Sequence, residues 1–295
     1  DSPLGLFLRS DYFLGFDNAE SMSDQLIFKV SSITKLPENV EGSVLVSGSH
    51  GGVFPAYLAA KSRVRGVVFN DAGGGLDDAG YGSLPYLDDL GIPAATCSHI
   101  SACIGDGKDM MERGTISRVN QVAAKLGCSV DQSVSQTAEL MIFASQSKVE
   151  VPVYQESRVC FMEAGEEPGV WGIDSASLVQ SDDRGQIIIT GSHGGLLGND
   201  PATAIRVEVA ACAFNDAGVG IDHVGISRLP ALNGRGIAAV TVDCMSARIG
   251  DARSMWETGK ISHVNPIAKK MGISHGQSLP VFAETVRQAM RHTNN

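Results

Sequence analysis

A chain of 295 residues suits two modest domains or one large α/β domain, and 43% hydrophobic residues are enough for a sizeable core. Its 23 basic and 33 acidic residues leave a net charge of −10 without a basic cluster, which argues against nucleic acid and anionic membrane surfaces, since both are met by Lys and Arg. No apolar run approaches the roughly 18 residues of a membrane helix, and six cysteines without a CxxC pair read as the reduced thiols of a cytoplasmic protein rather than a disulfide framework or a zinc cage.

In chain order, the first strong element is the apolar run at 43–46, read as a buried parallel strand that ends in Ser47-Gly48-Ser49-His50-Gly51-Gly52. A helix follows over 54–61. A second strand, 64–69, runs into Asn70-Asp71-Ala72-Gly73-Gly74-Gly75-Leu76-Asp77, and a helical stretch covers 77–90. A third strand, 92–97, opens the polar segment Cys97-Ser98-His99-Ile100-Ser101-Ala102-Cys103-Ile104-Gly105-Asp106. Further helices begin at Asn120, with a stop at Gly127, and near Ser133.

Beyond the turn-rich linker at 141–173 the series returns. A strand at 186–189 ends in Gly191-Ser192-His193-Gly194-Gly195, at an offset of 143 from the first copy. Asn199-Asp200-Pro201 reads as a capped helix start. A strand at 207–214 leads into Asn215-Asp216-Ala217-Gly218-Val219-Gly220-Ile221-Asp222, now at an offset of 145, so two residues are gained between these motifs. A strand at 237–242 opens Asp243-Cys244-Met245-Ser246-Ala247-Arg248-Ile249-Gly250-Asp251, and a capped helix begins at Asn265-Pro266. The copies span 31–140 and 174–285. They divide the chain into halves of 1–147 and 148–295, with residues 1–30 outside the repeat and 148–173 as their counterpart.

Strands alternating with helices imply an α/β fold of internally duplicated βαβαβ units with parallel sheets, the halves related by a pseudo-two-fold axis. The halves form either one continuous sheet or two similar sheets. Ligands in such sheets bind outside the strand C-terminal ends, and the shared polar motifs fall there.

The chemistry expected of these motifs is hydrolysis of an amide or ester bond in a small polar molecule that could carry a carboxylate. His50 or His193 would be the general base and Asp71 or Asp216 its orienter. Ser101, Ser246 or Cys244 would be the nucleophile. Asn70 or Asn215, with the loop amides at Gly51 and Gly194, would stabilise an oxyanion, and Arg248 would clamp an anion. Each residue also has a structural reading: a His tying its loop, Asn and Asp bracing glycine turns, Asp77 and Asp222 capping helices, and cysteines as small buried hydrophobes. The GSHGG turn stands where a dinucleotide fold would need GxGxxG. No cofactor is expected on this reading. The alternatives are a divalent metal held by the His and Asp side chains, and a non-catalytic protein that binds an anionic metabolite. A homo-oligomer is compatible with either. The stretch 97–106 differs from 242–251, His99 aligning with Cys244 and Cys103 with Arg248, which favours one composite or one-sided site over two equal ones.

Overall fold

The computed structural model describes residues 26–165 and 167–293, so residues 1–25 of the segment before the repeat lie outside the described residues. The chain is α/β, built on two mixed sheets of mostly parallel strands. The first runs in the order β1 (Ile27–Val30), β2 (Val44–His50), β3 (Gly66–Asn70), β4 (Ala94–Cys97), β5 (Ile116–Val119). The second contains β6 (Arg158–Met162), β7 (Val170–Ile173), β8 (Ile187–His193), β9 (Ala211–Asn215), β10 (Ala238–Val242) and β11 (Ile261–Val264), in that spatial order. Strands β1 to β4 and β7 to β10 pair in parallel, while β5, β6 and β11 close the edges antiparallel. Among the described residues no helix is long and apolar enough to cross a membrane, and all six cysteines are free thiols.

The inner strands are continuously apolar because both faces are covered. In the first sheet Leu45, Val67 and Phe69 meet Ala56, Ala59 and Ala60 of α1 (Val53–Lys61) and Leu84 and Leu87 of α2 (Ser83–Asp89). On the other face Val44, Val46 and Val68 meet Met110 of α3 (Gly107–Arg113) and Ala138 and Met141 of α5 (Val134–Met141). Burying a ring such as Phe69 contributes about 2–3 kcal/mol. Between α3 and α5 lies α4 (Gln121–Lys125), and the second half adds α6 (Arg228–Gly234), α7 (Ala252–Thr258), α8 (Pro266–Lys270) and α9 (Leu279–Thr293).

Local sequence sets these boundaries. The carboxylate of Asp106 caps α3 by accepting from the amides of Lys108 and Asp109, and Asp251 caps α7 through the Ser254 amide. Asn120 and Asn265 cap α4 and α8, while Ser133 and Gln136 form a capping box on α5. Two expectations change. The stretch 77–90 divides into a 3₁₀ turn, Leu76–Tyr81, and α2, because Asp77 and Asp78 take positive φ. The start predicted at Asn199-Asp200-Pro201 gives only short 3₁₀ turns, Leu197–Asn199 and Pro201–Thr203, where the first half has the nine-residue α1.

The halves meet through contacts that come in reciprocal pairs. Ala72, Ile104, Ala217 and Ile249 form a small apolar cluster between them. The Leu76 amide donates to Cys244 O at 2.8 Å, and the Ile221 amide to His99 O at 2.8 Å. Arg248 pairs with Asp77 at 2.9 Å and Arg113 with Asp222 at 2.8 Å. Gly73 and Gly218, both at positive φ, touch at the centre: a Cβ on Gly73 would lie 2.9 Å from Gly218 Cα. No side chain fits there, which is why both loops carry glycine at this point.

Candidate functional site

Strand ends on the inward edge of both sheets enclose a cleft of about 570 Å³ between the halves, within the size range of small-molecule sites. It touches both His50 and His193. Of the residues given a catalytic or binding role from the sequence, these two and Arg248 line it; Gly51, Gly194, Asn70, Asn215, Asp71, Asp216, Ser101, Ser246 and Cys244 do not.

His50 closes β2 and is partly buried. Its Nδ1 accepts the Gly52 amide at 3.2 Å, and His193 Nδ1 accepts the Gly195 amide at 3.2 Å. A nitrogen that accepts an N–H holds its lone pair, so each neutral ring carries its proton on Nε2. Burial lowers the pKa of His50 to about 4. Burial, then Arg228 and His50, hold His193 well below the usual histidine range. Both rings are therefore neutral near pH 7 with an N–H available on Nε2, where the sequence led to the expectation of a general base.

Asp71 does not orient His50. Its Oδ1 accepts the amides of His99 and Gly73 at 2.9 and 3.1 Å and meets His99 Nδ1 at 2.9 Å. Burial raises the Asp71 pKa, but the hydrogen bonds and charge of His99 outweigh it, and the net shift is downward. Asp216 accepts the amides of Cys244 and Gly218, both at 3.0 Å. The other residues given roles from the sequence are engaged as follows. Ser101 Oγ donates to Ser98 O at 2.9 Å and accepts the Thr115 amide, and Ser246 Oγ donates to Asp243 O and accepts the Lys260 amide, so both hydroxyls tie loops to the edge strands. Burial, with Asp216 and Asp243 nearby, pushes the Cys244 thiol up to about 12, which leaves it protonated and poorly nucleophilic. Asn70 and Asn215 each accept the amide two residues on and donate to Ala102 O and Ala247 O, bracing their turns away from solvent. The amides of Gly51 and Gly194 are spent on Asn70 O and Asn215 O, both at 2.7 Å. Arg248 is held by Asp77 and Asp251. Asp77 is thus an ion-pair partner and not a helix cap.

Among the described residues, the ligand atoms of Asp216, Asp243 and Cys244 lie within 4.8 Å of one another and could hold a metal ion, whereas His50, His193 and Asp71 do not join them. This trio does not border the cleft.

The cleft adds residues that the motifs did not reveal. Ser32 Oγ bonds Thr34 Oγ1 at 2.9 Å after β1, and Ser175 Oγ bonds Ser177 Oγ at 2.8 Å after β7. These pairs sit at the offset of 143, a signal present in the sequence. Glu156 lies in the segment read as a linker. Burial and the neighbouring Asp174 raise its pKa to about 7, against the pull of Ser175.

The halves are unequal here. A Cβ on Gly250 would lie 3.1 Å from His50 Cε1, a tight contact with the edge of a side chain. The matching Cβ on Gly105 would lie 2.2 Å from Leu196 O, and the Gly198 amide donates to Gly105 O at 2.8 Å. The loop that follows His193 thus packs directly on Gly105, and His193 is only 6% exposed. Compared with known proteins, the chain matches no family model, no curated protein and no solved structure.

Proposed function

We propose that the protein hydrolyses an amide or ester bond in a small polar molecule bound in the cleft, with water as the nucleophile. The observation that carries this reading is that one cleft holds a neutral, Nε2-protonated His50 and a carboxyl, Glu156, with a pKa raised to about 7. A carboxylate poised near the working pH is an efficient general base, and a neutral imidazole can polarise a carbonyl without surrendering its proton. Glu156 takes a proton from water as the oxygen attacks the carbonyl carbon. His50 Nε2–H bonds the developing oxyanion. The bond to the leaving nitrogen or oxygen then breaks, and the leaving group takes the proton from Glu156. Direct attack by water is favoured over a covalent intermediate because the Ser101 and Ser246 hydroxyls are committed and Cys244 is protonated.

The test is a panel of small esters, amides and lactams assayed with the protein as isolated and with Glu156→Gln and His50→Asn. Glu156→Gln is expected to lower kcat by at least about 100-fold. Turnover that survives both substitutions unchanged would refute the assignment.

A further inference from the structure

Arg228 is the one buried Arg or Lys among the described residues, at 4% exposure. Its counterpart at the 145-residue offset is Ser83, and the two backbones make the same bond: the Ser83 amide to Gly51 O and the Arg228 amide to Gly194 O. The second half has thus placed a cation where the first has a small hydroxyl. The guanidinium is held firmly. Nε donates to Gly195 O at 2.9 Å, Nη1 donates to Thr203 O at 3.0 Å and Ala204 O at 2.5 Å, and the group lies 4.9 Å from the Phe214 ring centroid.

Three of its five N–H bonds are therefore used. The two on Nη2 have no acceptor among the described residues, yet Nη2 is not sealed from solvent, and Arg228 borders the cleft. Among the described residues no carboxylate pairs with it. A desolvated cation without a counter-charge is costly, and retaining one at the wall of a cavity is what a site for an anion requires. His193 stands beside it, close enough for the Arg228 charge to depress the imidazole's pKa, with a second N–H on its Nε2. Arg206 lines the cleft as well.

We infer that Arg228 Nη2 anchors an anionic oxygen, of a carboxylate or a phosphate, on the molecule that occupies the cleft. One end of the ligand is then fixed at the Arg228 wall of the cleft, and the other reaches towards His50. The anion's role as a substrate handle rests on the hydrolytic reading above; the anion site itself does not.

The experiment is calorimetric titration of the full chain with succinate, with inorganic phosphate and with neutral succinamide. Saturable binding of either anion, with none of succinamide, is expected; the anion that binds identifies the class. Arg228→Met is expected to weaken that binding by at least about 10-fold, the loss of one charge-assisted hydrogen bond. Because this change also orphans three carbonyls, a second variant, Ala202→Glu, sets a carboxylate at an exposed position of the cleft wall next to Thr203 and is expected to have the same effect in a folded protein. No binding of either anion, equal binding of succinamide, or undiminished binding in Ala202→Glu would overturn the inference. Glu156→Gln separates the two readings. Anion binding without Glu156-dependent turnover leaves this site standing and removes the hydrolysis; Glu156-dependent turnover without anion binding does the reverse.

Discussion

Acidification should destabilise this protein through His50 in a way that a single substitution removes. An unfolded histidine binds its proton below a pKa of 6.5, whereas burial holds His50 down to about 4. Between those values the unfolded chain binds more protons than the folded one, so stability is full above 6.5 and is lost as the pH falls through the window. The whole shift corresponds to about 3 kcal/mol, of which about 2 kcal/mol is already lost at about pH 5. His50→Asn removes the titration and retains an acceptor, since the amide oxygen stands near the place of Nδ1 and can take the Gly52 amide. Urea unfolding of both proteins at about pH 7.5 and about pH 5 gives the comparison, with His193 present in each as a common term. The native protein should lose about 2 kcal/mol more than the variant. An equal loss in both would show that His50 charges freely in the folded state, and the argument for a neutral Nε2–H donor would fail with it.

Turnover should rise with pH through about 7 and level off above it, because the ionised form of Glu156 is the base; a rate that falls over that range would assign it the opposite role. Gly105→Ala and Gly250→Ala place the same methyl at the same positive φ, but 2.2 Å from a backbone oxygen in one case and 3.1 Å from the edge of a side chain in the other. Both should lose about 1–2 kcal/mol to backbone strain, with Gly105→Ala losing clearly more in urea unfolding. Asp71→Asn should cost about 1–3 kcal/mol, since the carboxylate gathers two backbone amides and His99 Nδ1. Asp77→Ala, which breaks an exposed pair with Arg248, should change stability by less than about 1 kcal/mol.

Much of the framework was legible because short apolar runs bounded by glycine have few other readings, and because Asn120, Ser133 and Asn265 announce helices by their caps. The antiparallel edges β5 and β11 were not. Each has only one fully buried residue, Ile116 and Ile261, too little periodicity to read as a strand. That Asp71 bonds His99, and not the expected His50, was not readable. Strand order β2-β3-β4 sets Asp71 between the loops of His50 and His99, and only the path of the backbone chooses. The change of offset from 143 to 145 marked the place where the halves diverge, but an insertion does not say what volume it occupies. Glu156 lay outside both copies of the repeat, so no internal comparison could point to it. Arg228 was hidden for the converse reason: the residue at the matching offset is Ser83, so the position belongs to no shared motif.

The reciprocal contacts between the halves have a consequence for assembly. Each histidine faces a glycine loop donated by the opposite half, His50 towards Gly250 and His193 towards Gly105. A half that folded alone would present only one wall of the cavity. The binding site therefore comes into existence at the docking step and at no earlier stage of folding, and a ligand that fills it draws its stabilisation from holding the two sheets together. Such a ligand would slow the parting of the halves far more than the fraying of either sheet, and backbone amides at Leu76 and Ile221, which bond across the junction, are the places where that protection would first be seen in hydrogen exchange.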